Sequence, residues 1–302
     1  MSQIIIGDAL TELRKISNDS INCCVTSPPY YKLRDYGMDS QIGLEATPQE
    51  YIDKLVEVFR EVRRVLKSDG TLWLNIGDSY FGNRNGRNCT KMQCKCKDLI
   101  GIPWLLAFAL RDDGWYLRQD IIWSKPNCMP ESVKDRCTRS HEYIFLLSKS
   151  EKYYFDSTSI AEPAVTSDRS SPRGSKGAIT ANSGRRKQSN AGIRTYTGFN
   201  ERYFSKPSPQ MRNKRDVWSV STAGFKGGHF AVFPEKLIEP CILAGCPSGG
   251  VVLDPFLGSG TSAIVAENLG RECIGIELNP EYAKISTKRL ERNTINETRS
   301  ST

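Results

Sequence analysis

Strand-sized apolar runs alternate with helix-sized amphipathic stretches along most of the chain, and this alternation restricts the fold more than any other feature. Consecutive βα units share one sheet only when the strands run parallel and the helices cover both faces. The pattern opens with Ile4 to Ile6 and a short amphipathic stretch carrying Leu10, Leu13 and Ile16. Ile21 to Thr26 reads as a buried strand ending at a Pro-Pro turn. A helix follows with a capping box, Thr47 as N-cap, Pro48 at N1 and Glu50 at N3. Its apolar face, Tyr51, Leu55, Val58, Phe59, Val62, Val65 and Leu66, recurs at helical spacing, with Gly70 just past its end. The spacing then predicts a strand over Thr71 to Ile76, an asparagine- and glycine-rich loop around Gly82 to Asn88, and a helix over Ile102 to Leu110 with Pro103 near its start.

Strands at Leu117 to Trp123 and Tyr143 to Leu147 end this half. The second half reads Pro234 to Ala244 helix, Val251 to Asp254 strand, Thr261 to Leu269 helix, Cys273 to Glu277 strand and Pro280 to Arg292 helix. Between them, Ala161 to Lys226 carries 13 Lys and Arg against 4 Asp and Glu, a surplus of +9 where the remainder of the chain sums to −1. Tyr196, Phe199, Tyr203, Phe204 and Trp218 are interleaved with those charges, a composition suited to nucleic acid and also to a solvated insertion. The expected organisation is therefore one α/β domain in two parts, 1–160 and 227–295, an inserted region 161–226 and a tail 296–302.

No stretch resembles a secretory leader or a membrane span, so the expectation is a cytoplasmic protein. Ten cysteines without a leader read as free thiols. Cys89, Cys94, Cys96, Cys128 and Cys137 lack paired C-x-x-C spacing, so no metal is expected.

The strand Val251 to Asp254 runs into Pro255-Phe256-Leu257-Gly258-Ser259-Gly260-Thr261, a glycine turn opening a helix. Such a turn lets backbone approach a ligand closely. Glu277 ends the following strand 23 positions after Asp254, near the offset at which dinucleotide folds present an acid to ribose hydroxyls. An adenosine-containing cofactor fits. The nicotinamide fingerprint does not, for want of the third glycine, nor does a P-loop, for want of Gly-Lys-Ser/Thr.

Thr26-Ser27-Pro28-Pro29-Tyr30 lies at a strand end, where open α/β sheets bind ligands. Two prolines fix φ twice and remove two donors, leaving the Ser27 hydroxyl and nearby carbonyls as rigidly held acceptors for an amino group. Tyr30 offers a face on which a planar base can stack.

These two strings, in this order, resemble the amino-methylating N4-cytosine/N6-adenine DNA methyltransferases of the β group. The resemblance also takes in Gly7-Asp8, Leu72-Trp73-Leu74-Asn75-Ile76, Ile121-Ile122-Trp123-Ser124-Lys125-Pro126, and His229 to Leu237. It implies a Rossmann-like S-adenosylmethionine-dependent methyltransferase fold, a mostly parallel twisted sheet with circularly permuted motif order and an inserted target-recognition region. It further implies that Ser27, Pro28, Pro29 and Tyr30 hold the target base, and that Asp8, Phe233, Pro234, Asp254, Phe256, Gly258, Gly260, Thr261 and Glu277 form the cofactor site. Serine at the first position of Ser-Pro-Pro-Tyr leans toward N4 of cytosine.

The implied reaction is in-line methyl transfer to an exocyclic base nitrogen, within double-stranded DNA and with the base flipped out. A restriction endonuclease acting on the same site would be the partner. Arg185, Arg186, Lys187, Arg212, Lys214 and Arg215 are the candidate phosphate contacts. A C5-cytosine mechanism would need a nucleophilic Pro-Cys; the one here, Pro240-Cys241, continues as an apolar helix. Adenine N6, RNA or a protein glutamine amide as acceptor, and an inactive DNA-binding scaffold, remain open at this stage.

Overall fold

The computed structural model describes residues 2–82, 95–164, 211–222 and 233–300, with side chains up to 293. Chain order is β1 (Gln3–Ile6), α1 (Ala9–Leu13), β2 (Ile21–Thr26), α2 (Pro48–Val65), β3 (Leu66–Ile76), α3 (Ile102–Asp112), β4 (Tyr116–Ser124) and β5 (His141–Ser148). There follow β6 (Glu162–Pro163), β7 (Met211–Arg212), β8 (Val217–Ser219), α4 (Glu235–Gly245), β9 (Val251–Asp254), α5 (Thr261–Asn268), β10 (Glu272–Glu277) and α6 (Pro280–Ser300).

Among the described residues, eight strands form one sheet in the order β1-β10-β9-β2-β3-β5-β4-β8, the mostly parallel α/β sheet expected. Only β5 is reversed, pairing antiparallel with both β3 and β4. The sheet is buried on both faces by alternation along each strand. Leu72, Leu74 and Ile76 of β3, with Phe145 and Leu147 of β5, face α1, α2 and α3. Trp73, Ile144 and Leu146 point the other way, toward α4 and α5. Helix α2 alone buries Tyr51, Ile52, Leu55, Val58, Phe59, Val62 and Val65, each contributing about 1.5–3 kcal/mol relative to exposure.

The helix ends show where local reading succeeds and where distant groups take over. Thr47 caps α2 by accepting from Glu50 N at 3.2 Å, but the Glu50 carboxylate reaches back to Ala46 N rather than to the cap residue, so the box is only half made. Gly70 does not end α2. The helix stops at Val65, Leu66 is already extended, and β3 begins five residues earlier than the spacing predicts. Helix α3 begins after Gly101 at φ 82°, and the Asp78 carboxylate caps it from outside by accepting from Gly101 N and Ile102 N.

The chain divides into two compact units, 1–160 with 215–302, and 161–214. The expected boundary at 226 therefore moves to 214, because β8 pairs parallel with β4 in the main sheet and buries Trp218 to 6% exposure. Trp218 belongs to that core and donates its indole N–H to Arg215 O at 2.6 Å; it is not an aromatic presented to a nucleic acid. Within 161–214, β6 and β7 pair antiparallel.

Candidate active site

Strands β2 and β9 lie side by side at the centre of the sheet, with Cys23 opposite Val252 and Cys24 opposite Leu253. Their connections leave in opposite directions, β9 through α5 to β10 and β2 through α2 to β3. The crevice beyond their carboxyl ends is thus a topological switch point, where ligands bind in open α/β sheets. The two loops singled out in the sequence both open here. A buried bond ties them together, Thr26 Oγ1 donating to Asp254 Oδ1 at 2.6 Å. Above it lies a cavity of about 410 Å³, within the range of small-molecule sites.

On the β9 side, the glycine turn within the loop Asp254 to Thr261 is held mainly at its backbone. Gly258 and Gly260 adopt φ 57° and 86°, and a Cβ on Gly260 would lie 2.9 Å from Ser286 Cβ. Ser286 Oγ donates to Gly258 O at 2.7 Å, and Arg289 Nη1 donates to Ser259 O at 2.7 Å, so α6 clamps the turn from behind. Sequence reasoning missed both clamping residues, which lie on an ordinary-looking amphipathic helix. Glu277 accepts from Gly258 N and Asn279 N, each at 2.8 Å, and borders the cavity. Burial pushes its carboxyl up to about 6 against the pull of those two N–H groups.

Asp254 stands behind the wall. It accepts from Thr26 Oγ1, Ser262 Oγ and Phe256 N, and burial pushes it up to about 6 despite those three donors. It shapes the loop through these bonds, and Gly260 does so through its positive φ and close approach to Ser286. Asp8, Phe233, Phe256, Gly258, Thr261 and Glu277 border the cavity. Asp8 also caps α1 by accepting from Thr11 N at 2.9 Å, and Pro234 is the N-cap residue of α4. Tyr36 and Tyr282, whose rings meet edge to face at 6.3 Å, add an aromatic wall near Glu277 that carried no sequence signal. His229 to Val232 lie outside the described residues.

On the β2 side, Ser27, Pro28, Pro29 and Tyr30 all border the cavity. Side chains from distant elements hold this loop. Tyr51 of α2 donates to Pro29 O at 2.8 Å. Asn75, at the end of β3, donates to Ser27 Oγ at 3.3 Å and to Tyr30 Oη at 2.9 Å. The Tyr30 hydroxyl donates to Glu142 Oε2 at 2.6 Å, and its ring covers Gly77, where a Cβ would sit 2.7 Å from Cε2. Glu142 in turn is paired with Lys125, which lies 4.2 Å from the centre of the Trp123 ring. Burial first, then the Glu142 charge, raise the Tyr30 phenol well above its usual range.

The candidate phosphate contacts fare unevenly. Arg185, Arg186 and Lys187 lie outside the described residues. Arg212 is bound to Glu162 at 2.9 Å, Lys214 is half-buried, and Arg215 is exposed. Among the described residues no cluster of metal-ligating side chains occurs, and Cys96, Cys128 and Cys137 are free thiols. Cys89 and Cys94 lie outside them. Cys241 is buried in the core, as its apolar helix implied. No helix among the described residues is long and apolar enough to cross a membrane.

A glycine turn held by a buried carboxylate, beside a proline-fixed loop at the switch point of a mostly parallel sheet, belongs to a Rossmann-like fold with its ligand crevice at the strand ends. The chain belongs to the DNA methylase family, whose profile matches residues 21–288. The type II methyltransferase M.SmaI of Serratia marcescens is 48% identical, over 96% of this chain and 91% of the relative. M.Cfr9I of Citrobacter freundii, also a type II methyltransferase, is 47% identical over 94% and 86%. Among solved structures, the cytosine-N4-specific PvuII DNA methyltransferase shares the fold with TM-score 0.66 at 22% identity, over 97% of this chain and 90% of that one. A Thermus thermophilus protein assigned as a DNA modification methylase, solved with S-adenosyl-L-methionine, matches with TM-score 0.60 at 25% identity, over 97% and 96%. The methyl donor of this DNA methylase is S-adenosylmethionine.

Proposed function

We propose that the protein is the methyltransferase of a type II restriction-modification system, methylating the exocyclic N4 of a cytosine in double-stranded DNA. The observation that carries this reading is that Ser27, Pro28, Pro29 and Tyr30 line the same cavity as Gly258 and Glu277, so that the Ser27 hydroxyl and the Pro28 carbonyl would serve as acceptors there. Tyr51 donates to the Pro29 carbonyl and holds the loop, and the Ser27 hydroxyl and Pro28 carbonyl are the acceptors proposed for a substrate amino group.

The residues fit the cofactor. Glu277 provides a carboxylate for ribose hydroxyls, Phe256, Tyr36 and Tyr282 provide apolar walls for a purine, and Gly258 lets backbone approach without a side chain. Bound S-adenosylmethionine supplies an electrophilic methyl group. The chain's own part is positioning and electrostatics. A base amino lone pair is delocalised into its ring. Acceptors at Ser27 and Pro28 draw on the two amino hydrogens, favour a pyramidal nitrogen and turn its lone pair toward the methyl donor. Tyr30 places an aromatic ring beside the flipped base, which offsets part of the few kcal/mol lost on unstacking.

Incubating unmodified DNA with the protein and labelled cofactor, then digesting it to nucleosides for mass spectrometry, tests the assignment. N4-methylcytosine is the expected product. N6-methyladenine alone would replace cytosine by adenine as the target. DNA modified in cells making the protein should also resist the partner endonuclease, once the methylated site is mapped.

A further inference from the structure

The methylated amino nitrogen must lose a proton, and the site described so far gives that proton no destination. The hydrogen bonds around Ser27 have a direction that supplies one. Ser27 Oγ donates to Tyr30 Oη at 3.4 Å, and Tyr30 Oη donates to Glu142 Oε2 at 2.6 Å. A serine hydroxyl has one proton and two lone pairs. The proton points to Tyr30, the Asn75 amide occupies one lone pair at 3.3 Å, and the second is left for a substrate on the cavity side. Asn75 Nδ2 also lies 2.9 Å from Tyr30 Oη and 3.2 Å from Glu142 Oε2, so its two N–H groups are shared among the three oxygens and hold them in one array.

We propose that Ser27, Tyr30 and Glu142 form a proton relay for methyl transfer, with Glu142 as a positioning residue that orients Tyr30 and receives the proton at the end. The inference rests on the amino-methylation reading above. As the new N–C bond forms from the amino lone pair, the C–S bond of the donor breaks with its electron pair on sulfur. The positive charge so created on nitrogen is discharged in the same step. One amino proton passes to Ser27 Oγ, the Ser27 proton to Tyr30 Oη, and the Tyr30 proton to Glu142 Oε2. Glu142 ends as a neutral acid and returns its proton to solvent after product release.

The surroundings suit a relay. Among the described residues, the groups bonded to Glu142 are Tyr30 from the loop after β2, Asn75 from β3 and Lys125 from the end of β4. Lys125 is the cation among them, and it balances the carboxylate before transfer. Glu142 and Lys125 side chains are 16% and 18% exposed, so the charge pair is shielded but reachable from the cavity they both border. A phenol raised far above its usual range by burial is a poor acid and stays protonated, so it passes a proton on only by taking one as it gives another.

The test begins with wild-type protein, labelled cofactor and unmodified double-stranded DNA. Absence of any transferred methyl would sink the amino-methylation reading itself. With transfer established, single-turnover rates are measured for wild type, Tyr30→Phe, Glu142→Gln and the double variant. Phe keeps the ring and removes only the hydroxyl. Each single variant should slow methyl transfer about a hundredfold with cofactor Kd unchanged, and the double should be no slower than the slower single. Wild type should slow in D2O and Tyr30→Phe should not. In NMR of ζ-carbon-labelled tyrosine, the Tyr30 signal should move in Glu142→Gln without ligand present. A wild-type rate in Glu142→Gln, multiplying effects in the double variant, or no solvent isotope effect in wild type would each overturn the relay. Should Glu142→Gln fail to fold, Tyr30→Phe and the isotope effect carry the decision.

Discussion

The two loops that meet at the switch point face one cavity but are held in different ways. The loop after β9 is fixed through its own backbone: Glu277 takes Gly258 N, Ser286 donates to Gly258 O and Arg289 to Ser259 O. The loop after β2 is fixed through side chains arriving from α2, β3 and β5: Tyr51, Asn75 and Glu142. A backbone-held loop demands glycines at set positions and so writes itself into the local sequence. A side-chain-held loop leaves only its prolines in view, and its partners look like any strand end.

Substitutions in each loop should therefore fail in different ways. Ser27→Ala removes an acceptor that acts only during the reaction. Single-turnover methyl transfer should fall about a hundredfold with fold and cofactor binding intact, and a matching loss of cofactor affinity would erase the distinction. Gly260→Ala should do the reverse. At φ 86° with Ser286 Cβ 2.9 Å away, a methyl group strains the turn by about 2–3 kcal/mol, visible as a lower Tm and weaker cofactor binding.

Protonation sharpens the contrast further. Asp254 and Glu277 both titrate near pH 6 in the folded protein, above their unfolded values. Their contribution to stability is therefore present at low pH and lost as pH rises through about 6 in the ligand-free protein. With Glu277 as the proposed ribose ligand, cofactor binding has the opposite sign, because ribose hydroxyls donate best to the ionised carboxylate. Affinity should fall about tenfold from pH 7 to pH 5, and calorimetric titration at both values checks it. A smaller effect is expected of Tyr51→Phe, which frees the Pro29 carbonyl and should cost about 1 kcal/mol in denaturant unfolding. Smallest is Arg215→Gln. As an exposed phosphate contact it should reduce the salt slope of DNA binding by about one unit, and an unchanged slope removes it from the interface.

Legibility in the sequence followed the same divide. Strand Val251–Asp254 and the start of α5 at Thr261 fall where the glycine turn placed them. The cap at Thr47 was equally plain, because its signal is local. Glu142 was invisible for a topological reason. Functional side chains in parallel sheets gather at strand ends, but β5 runs backwards, so its first residues reach the edge that the other strands reach with their last. The sequence shows a strand there and not its direction. Trp218 was misplaced for a related reason: three residues that complete a sheet carry too little periodicity to stand out inside a basic segment.

The strand order has one more consequence, which concerns biosynthesis. The sheet interleaves its two parts: β1 is separated from β2 by β10 and β9, and β4 is bordered by β8. A chain that has left the ribosome only as far as residue 160 has the acceptor loop but lacks β9, which should pair with β2 on the side away from β3, and β10 beyond it. It can neither close its sheet nor hold a methyl donor. Premature termination should thus yield an inert fragment rather than an enzyme that marks DNA without control, and two separately made pieces should regain activity only when mixed.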